Sequence, residues 1–509
     1  MTASAATEAT RSWEQYLQES AVPRSTIDDF IQRPNWATFD PELGYILHDC
    51  LVPWGADDSR TIETFRSDGA RSRFLYAGRK PRINSYGNSF TECTQVSDGE
   101  TWQEYLAGHL GEPIGNFSVG GHGVYQAYRR MRRVEQTADG APYVILYVWG
   151  EDPVRSIMRC RWAVFYPWVT PADHEMRLFS SNPWAHLEID LETGSFTEVD
   201  NPLPTPESVY AMCDPQWMLD HLRDDLAMQL AVYAGDPGYG QPGRIGELDR
   251  PKIERLAELL NFPLDWGLGT DQRQQAAELL HHYGQRATTW ILDKASAFTR
   301  GAGKTLLVAL NYTARTDHFP GPVAPWDGTR RDQEILDYLS ASGIPLFDMN
   351  DVHQREYDQA DGPYHEYLSQ YMNGGHYNPR GTTSSRTPSR TRSWSCSTRS
   401  RCPTRTRART RLTSARIGHQ HDRQRRLGRA RASRPRVRRC RRIRDAVSPA
   451  APRIQRYVVR RQGRPVAVTR CLEDVAQLSE GVHHLGRWRK RVQARLIEFQ
   501  PVGVTYRCQ

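Results

Sequence analysis

No apolar run in these 509 residues approaches the eighteen or so that a membrane-spanning helix needs, so no membrane segment is expected. Met1 to Arg11 lacks the apolar core of a secretory signal, and the expected location is cytoplasmic. Metal-ligand spacing is missing as well. Cys50, Cys93, Cys160 and Cys213 are irregularly spaced, as are Cys396, Cys402, Cys440, Cys471 and Cys508, and scattered cysteines in a signal-free chain read as free thiols. His281, His282, His318, His353 and His365 are equally scattered and read as structural or surface residues. Gly301-Ala302-Gly303-Lys304-Thr305 falls short of a phosphate loop, because Phe298 stands where that pattern needs a glycine and a helix precedes it where a strand should. No metal or cofactor is therefore expected.

Basic residues are scarce in the first three quarters. Residues 1–381 hold 33 Lys+Arg against 53 Asp+Glu, and residues 382–509 hold 34 against 6. The formal charge of +8 is thus the sum of a body at −20 and a tail at +28. Between 382 and 440 there are 19 Arg, no Lys and one acid, Asp422. A nucleic-acid-binding tail is one reading, since Arg clusters neutralise phosphates, and nucleic acid is expected as a partner only if that tail is genuine. The other reading is a change of reading frame. With one base restored after Gly381 and GC-rich synonymous codons, the stretch that follows reads GNHFFAYAIKDAVVELLD, an amphipathic helix with apolar spacings of three and four. On that reading residues 382–509 are an out-of-frame, disordered tail.

The body shows a strand-then-helix rhythm, which argues for an α/β protein with a parallel sheet. Strands are expected at Arg82–Tyr86, Ile114–Val119, Tyr143–Trp149, Thr305–Leu310 and Ile344–Phe347. Helices are expected at Thr101–Leu110, Val124–Glu135, Thr329–Ser340 and Pro363–Tyr371. Residues 1–79 read as a lead-in packed on a catalytic domain spanning 80–381, with short helices at Trp13–Ser20 and Ser25–Gln32, the second capped by Ser25 or Thr26. The rhythm breaks at about 160–270, a cap-like insertion. It holds a hairpin at His186–Leu191 and Phe196–Val199 and helices at Pro215–Ala234 and Arg250–Leu260; a further helix at Asp271–Thr299 leads back to the sheet. Trp and Tyr residues between 144 and 168 suit either an acyl or sugar site or the core.

Chemistry is expected where parallel strands end. Gly87-Asn88-Ser89-Phe90-Thr91 follows the first strand, Gly120-Gly121 the second, Trp149-Gly150-Glu151-Asp152 the third, and Asn373-Gly374-Gly375-His376-Tyr377-Asn378-Pro379-Arg380-Gly381 the last. This ordered set resembles the SGNH (GDSL-type) hydrolase family, whose blocks run Gly-Asp-Ser-x-Thr, Asn-x-Gly-x-x-Gly-like, Gly-x-Asn-Asp and Asp-x-x-His. The second block is similar to Asn116-Phe117-Ser118-Val119-Gly120-Gly121. The resemblance covers about 82–160 and 300–381. It implies a flavodoxin-like three-layer α/β/α sandwich, a Ser89 nucleophile, His376 as general base, and an oxyanion hole from the Ser89 and Gly121 N–H groups. Two positions depart from the pattern. Glu151 stands at the oxyanion-hole Asn, where an ionised carboxylate repels developing negative charge. Asn373 stands at the Asp that orients the His, with Asp348 and Asp351 as candidate substitutes and a Ser-His dyad as the alternative.

The activity so implied is a carboxylic-ester hydrolase acting on a small-molecule or carbohydrate acyl ester. An acyltransferase using the same Ser-His chemistry is the alternative. A non-catalytic, basic-tailed binding protein is the third reading, favoured by Glu151, Asn373 and the tail.

Overall fold

The run Tyr143-Val144-Ile145-Leu146-Tyr147-Val148-Trp149 is wholly apolar or aromatic, as a strand buried on both faces requires. In the computed structural model it is the middle strand of a five-stranded sheet. The structure describes residues 11–33, 36–52, 55, 59–166, 181–235, 242–311, 332–360, 362–373 and 375–384, and the backbone of 458–461 and 464–467. Residues Met1–Arg401 form one compact unit and Cys402–Gln509 another. Of the second, the described part is an antiparallel hairpin, Val458–Arg461 with Arg464–Ala467. The remainder of the expected disordered tail from 385 onward lies outside the described residues.

The sheet strands are β1 (Ile83–Tyr86), β2 (Ile114–Asn116), β3 (Tyr143–Trp149), β4 (Thr305–Asn311) and β5 (Leu346–Asp348). All neighbours are parallel, in the order β2-β1-β3-β4-β5. This 2-1-3-4-5 order is doubly wound, and it reverses between β1 and β3, where such sheets open a crevice at their carboxyl ends. Register places the end of β1 three residues before that of β3, with Tyr86 opposite Leu146, and brings β3 and β4 to a level end, with Asn311 opposite Trp149.

Side-chain alternation sorts the two faces. Val144, Leu146, Val148, Val308 and Leu310 enter one large core, closed by α3 (Val124–Glu135), α5 (Gln272–Gly301) and α6 (Gln333–Ser342). Each such side chain stabilises the fold by about 2 kcal/mol relative to exposure. Tyr147 and Ala309 face the other way, into a core shared with Phe90, Met349, Val352 and Tyr377. That face is covered by α2 (Trp102–Leu110), α7 (Met349–Tyr357) and the segment carrying His376. Two more short helices bear on the site: α1 (Ser89–Glu92) and α4 (Asp152–Arg155). A last one, α8 (Pro379–Ser384), starts at a proline, packs beside α2 and buries Thr382 completely.

The lead-in shares the large core. Helix Trp13–Glu19 opens with a capping box between Ser12 and Gln15 and buries Trp13, Tyr16 and Leu17. Helix Arg24–Gln32 starts from Pro23 with no side-chain cap, so neither Ser25 nor Thr26 has the expected capping role. A hairpin that the turn-rich sequence concealed follows, Ala37–Asp40 with Gly44–Leu47, its turn held by the Asp40 carboxylate accepting from the Glu42 and Leu43 N–H groups.

Two further expectations change, and one helix is added. The single helix at Pro215–Ala234 is two, Pro215–Leu222 and Leu226–Ala234. Asp225 breaks it by capping the second, its carboxylate accepting from Met228 N at 2.9 Å. Strand β2 stops at Asn116, because the Asn116 side chain turns back to accept from Ser118 N. Helix α7 went unforeseen, its apolar face being only Met349, Val352 and His353. Among the described residues, no helix is long and apolar enough to cross a membrane.

Candidate active site

Ser89 is the first residue of α1, directly after β1. Asn88 caps that helix, its Oδ1 accepting from Phe90 N at 2.8 Å. The cap leaves the Ser89 N–H unused, and among the described residues no protein acceptor takes it. Asn88 also donates through Nδ2 to both carboxylate oxygens of Asp152, at 2.8 and 2.7 Å. Asp152 in turn accepts from Trp149 N at 2.9 Å. The turn carrying Ser89 is thereby tied to the end of β3. Asp152 is fully buried, and desolvation lifts its carboxyl to about 7 against the opposing pull of Arg155.

The loop after β2 lies alongside. A Cβ at position 120 would sit 3.5 Å from Ser89 Cβ and 2.5 Å from Glu92 Oε2, so any larger residue there would have to displace the Glu92 carboxyl. Gly121 adopts φ +86°, a conformation glycine takes without penalty. Its N–H, like that of Ser89, has no protein acceptor among the described residues. Beneath the loop, burial and then the neighbouring Glu63 push the Glu92 carboxyl well above the usual range.

His376 sits on a two-residue hairpin in which Met372 pairs with Tyr377 and Asn373 with His376. Its Nε2 is 2.7 Å from Ser89 Oγ. The ring packs at 5.1 Å from Phe90, the residue after Ser89. Ser89, Gly121 and His376 are each partly exposed, so the group they form is open to solvent.

The two departures fare differently. Glu151, at the end of β3, accepts from Arg155 Nη2 at 2.8 Å. So paired, Glu151 is a counter-ion to Arg155, and a carboxylate in that pairing accepts and does not donate, which speaks against its expected place in the oxyanion hole. The Asn373 side chain lies outside the described residues. Of the substitutes, Asp348 caps α7 by accepting from Asn350 N at 2.9 Å, and Asp351 is exposed on that helix's first turn.

Sequence reasoning missed what stands behind His376. The Asn311 amide, at the end of β4, donates to Tyr377 OH (3.1 Å) and to Tyr147 OH (2.9 Å). His353 bridges Tyr377 OH (2.7 Å) and Tyr367 OH (3.2 Å), and Tyr367 donates to Glu356 at 3.3 Å. Burial holds His353 down to about 4, so the ring is neutral. The directions then follow: Tyr367 gives its proton to Glu356, accepts from Nδ1–H, and leaves Nε2 to accept from Tyr377. This chain anchors the residue adjacent to His376. Read as scattered, His353 gave no sign of it, since its partners lie 14 and 24 residues away.

Other candidates take structural parts. Lys304 of the glycine-rich run bonds Glu135 at 2.7 Å and Ala141 O at 3.0 Å, and has no phosphate-loop geometry. His282 lies between Glu334 and Leu260 O. His318 and the side chain of His365 are outside the described residues. Among the described residues no three His, Cys, Asp or Glu side chains are placed to hold a metal, and Cys50, Cys93, Cys160 and Cys213 are free thiols. The chain matches no family model and no curated protein.

Proposed function

We propose that the chain is a serine hydrolase of carboxylic esters, of the SGNH type. The observation that carries this reading is the 2.7 Å contact between His376 Nε2 and Ser89 Oγ, at the carboxyl edge of a parallel sheet. A serine hydroxyl becomes a competent nucleophile when a base takes its proton, and His376 is placed to do so. Ser89 Oγ attacks the acyl carbonyl while its proton passes to His376 Nε2. The oxyanion that forms is received by the Ser89 and Gly121 N–H groups, each donor of this kind contributing about 3 kcal/mol. His376 then gives its proton to the leaving alcohol. Water repeats the sequence on the acyl-serine and restores the enzyme. Strand order 2-1-3-4-5 with helices on both faces supports the three-layer arrangement of that family.

The substrate class is a small-molecule or carbohydrate acyl ester. The test is hydrolysis of p-nitrophenyl acetate with and without an added alcohol. Ser89→Ala is expected to lower kcat by about 10⁴-fold or more. Activity that survives this change refutes the mechanism. Dominant transfer to the alcohol in place of water makes the protein an acyltransferase.

A further inference from the structure

The Gly120-Gly121 loop is held by side chains from outside the sheet. The Gly120 carbonyl accepts from the hydroxyl of Tyr45, in the lead-in hairpin. The Gly121 carbonyl accepts from Arg161 Nη1 at 3.2 Å, in the segment following α4. Tyr45 is wholly buried. Its ring is fixed edge-on against His122 at 5.0 Å and against Trp36 at 6.0 Å. Burial also raises its pKa, so the hydroxyl remains a donor at any working pH.

A trans peptide is planar, with its C=O and N–H on opposite sides. The carbonyl that Tyr45 grips and the N–H of Gly121 belong to the same peptide unit. Fixing one fixes the direction of the other. Two consecutive glycines resist such fixing, because they lose more conformational freedom than any other residues. We propose that Tyr45 is a positioning residue for the oxyanion hole: its hydroxyl sets the 120–121 peptide so that Gly121 N–H faces the acyl oxygen. The lead-in then completes the active site. A second contact from the same region agrees, since Arg71 donates to the carbonyls of Glu92 and Cys93 at the end of the nucleophile helix, at 2.8 and 3.1 Å.

This inference rests on the hydrolase reading. Its test is Tyr45→Phe, which keeps the ring contacts and removes only the donor. Rates on p-nitrophenyl acetate are normalised to active sites titrated with a fluorophosphonate. A correctly aimed donor is worth about 10²–10³ in kcat, so a misaimed one should cost about 10- to 100-fold. KM should stay within about twofold, and the Ki of a methyl trifluoromethyl ketone, whose adduct is an oxyanion, should rise with the loss in kcat/KM. Unchanged kcat and Ki per active site, whatever the melting temperature, overturn the proposal. If Y45F does not fold, 3-fluorotyrosine at position 45, a stronger donor of similar size, is expected to tighten the ketone, and an unaltered Ki overturns the proposal equally. Failure of the hydrolase reading is recognised separately, by Ser89→Ala retaining wild-type turnover.

Discussion

Asn88 occupies the position where the resembling family carries Asp, and Asp152 explains why an amide is accommodated there. Asn88→Asp would set a second carboxylate 2.7–2.8 Å from the first, fully buried. Two unit charges at that separation repel by about 6 kcal/mol at an effective dielectric of about 20. That is worth about four pH units. In the wild type, Asp152 titrates at about 7, raised above its unfolded value by burial. Such a raised acid stabilises the fold at pH below its unfolded value and loses that stability as pH rises through the folded one, so its contribution is exhausted above about 7. In N88D the pair retains one proton well beyond pH 9. Folded protein then binds one more proton than unfolded, and stability keeps falling by about 1.4 kcal/mol per pH unit. Between about pH 7 and about pH 8.5, N88D should lose about 2 kcal/mol more than the wild type, read by urea unfolding at each pH. The exchange N88D/D152N restores a single carboxylate and should remove the extra slope. An N88D curve parallel to the wild type across this range would refute the pairing.

Three further outcomes follow from the site. His353→Phe removes the acceptor of the Tyr377 hydroxyl and one donor to the Tyr367 hydroxyl, and should cost about 2–4 kcal/mol by urea unfolding. Because the folded pKa of His353 lies near 4, below its unfolded value, H353F should also abolish a rise in stability between about pH 4 and about pH 6.5. Glu151→Gln, which removes a counter-ion and no oxyanion donor, should change kcat on p-nitrophenyl acetate by less than about threefold; a loss of about 10²-fold would put Glu151 in the oxyanion hole. Resequencing across the codon after Gly381 should reveal one missing base, and an intact frame with strong support would make the basic tail genuine.

Strong periodicity made much of the fold legible. The apolar run of β3 and the amphipathic α3 have the bounds read from sequence, Tyr143–Trp149 and Val124–Glu135. What escaped was set by contacts distant in sequence or by capping. The lead-in hairpin depends on an Asp40 turn that looks like any loop, and the break at Asp225 depends on one carboxylate choosing a backbone N–H. In the candidate site, Ser89 and Gly121 were legible because each lies in a glycine-containing turn after a sheet strand, and His376 because it follows Gly374-Gly375 in a Gly/Asn/Pro-rich stretch. Tyr45, Asn311 and His353 were not, since they act through hydrogen bonds to residues 75, 66 and 24 positions away. For Glu151 a motif alignment gives a position and not a partner; the structure adds Arg155, four residues on, as its ion-pair partner.

The central claim is that Ser89 is a nucleophile activated by His376. The direct measurement is labelling of the full chain with a fluorophosphonate, followed by mass mapping of the modified residue. A single adduct on Ser89, slowed by about 10³-fold or more in His376→Gln, is the expected result. An adduct on another serine, or labelling of Ser89 at an undiminished rate in H376Q, would contradict it.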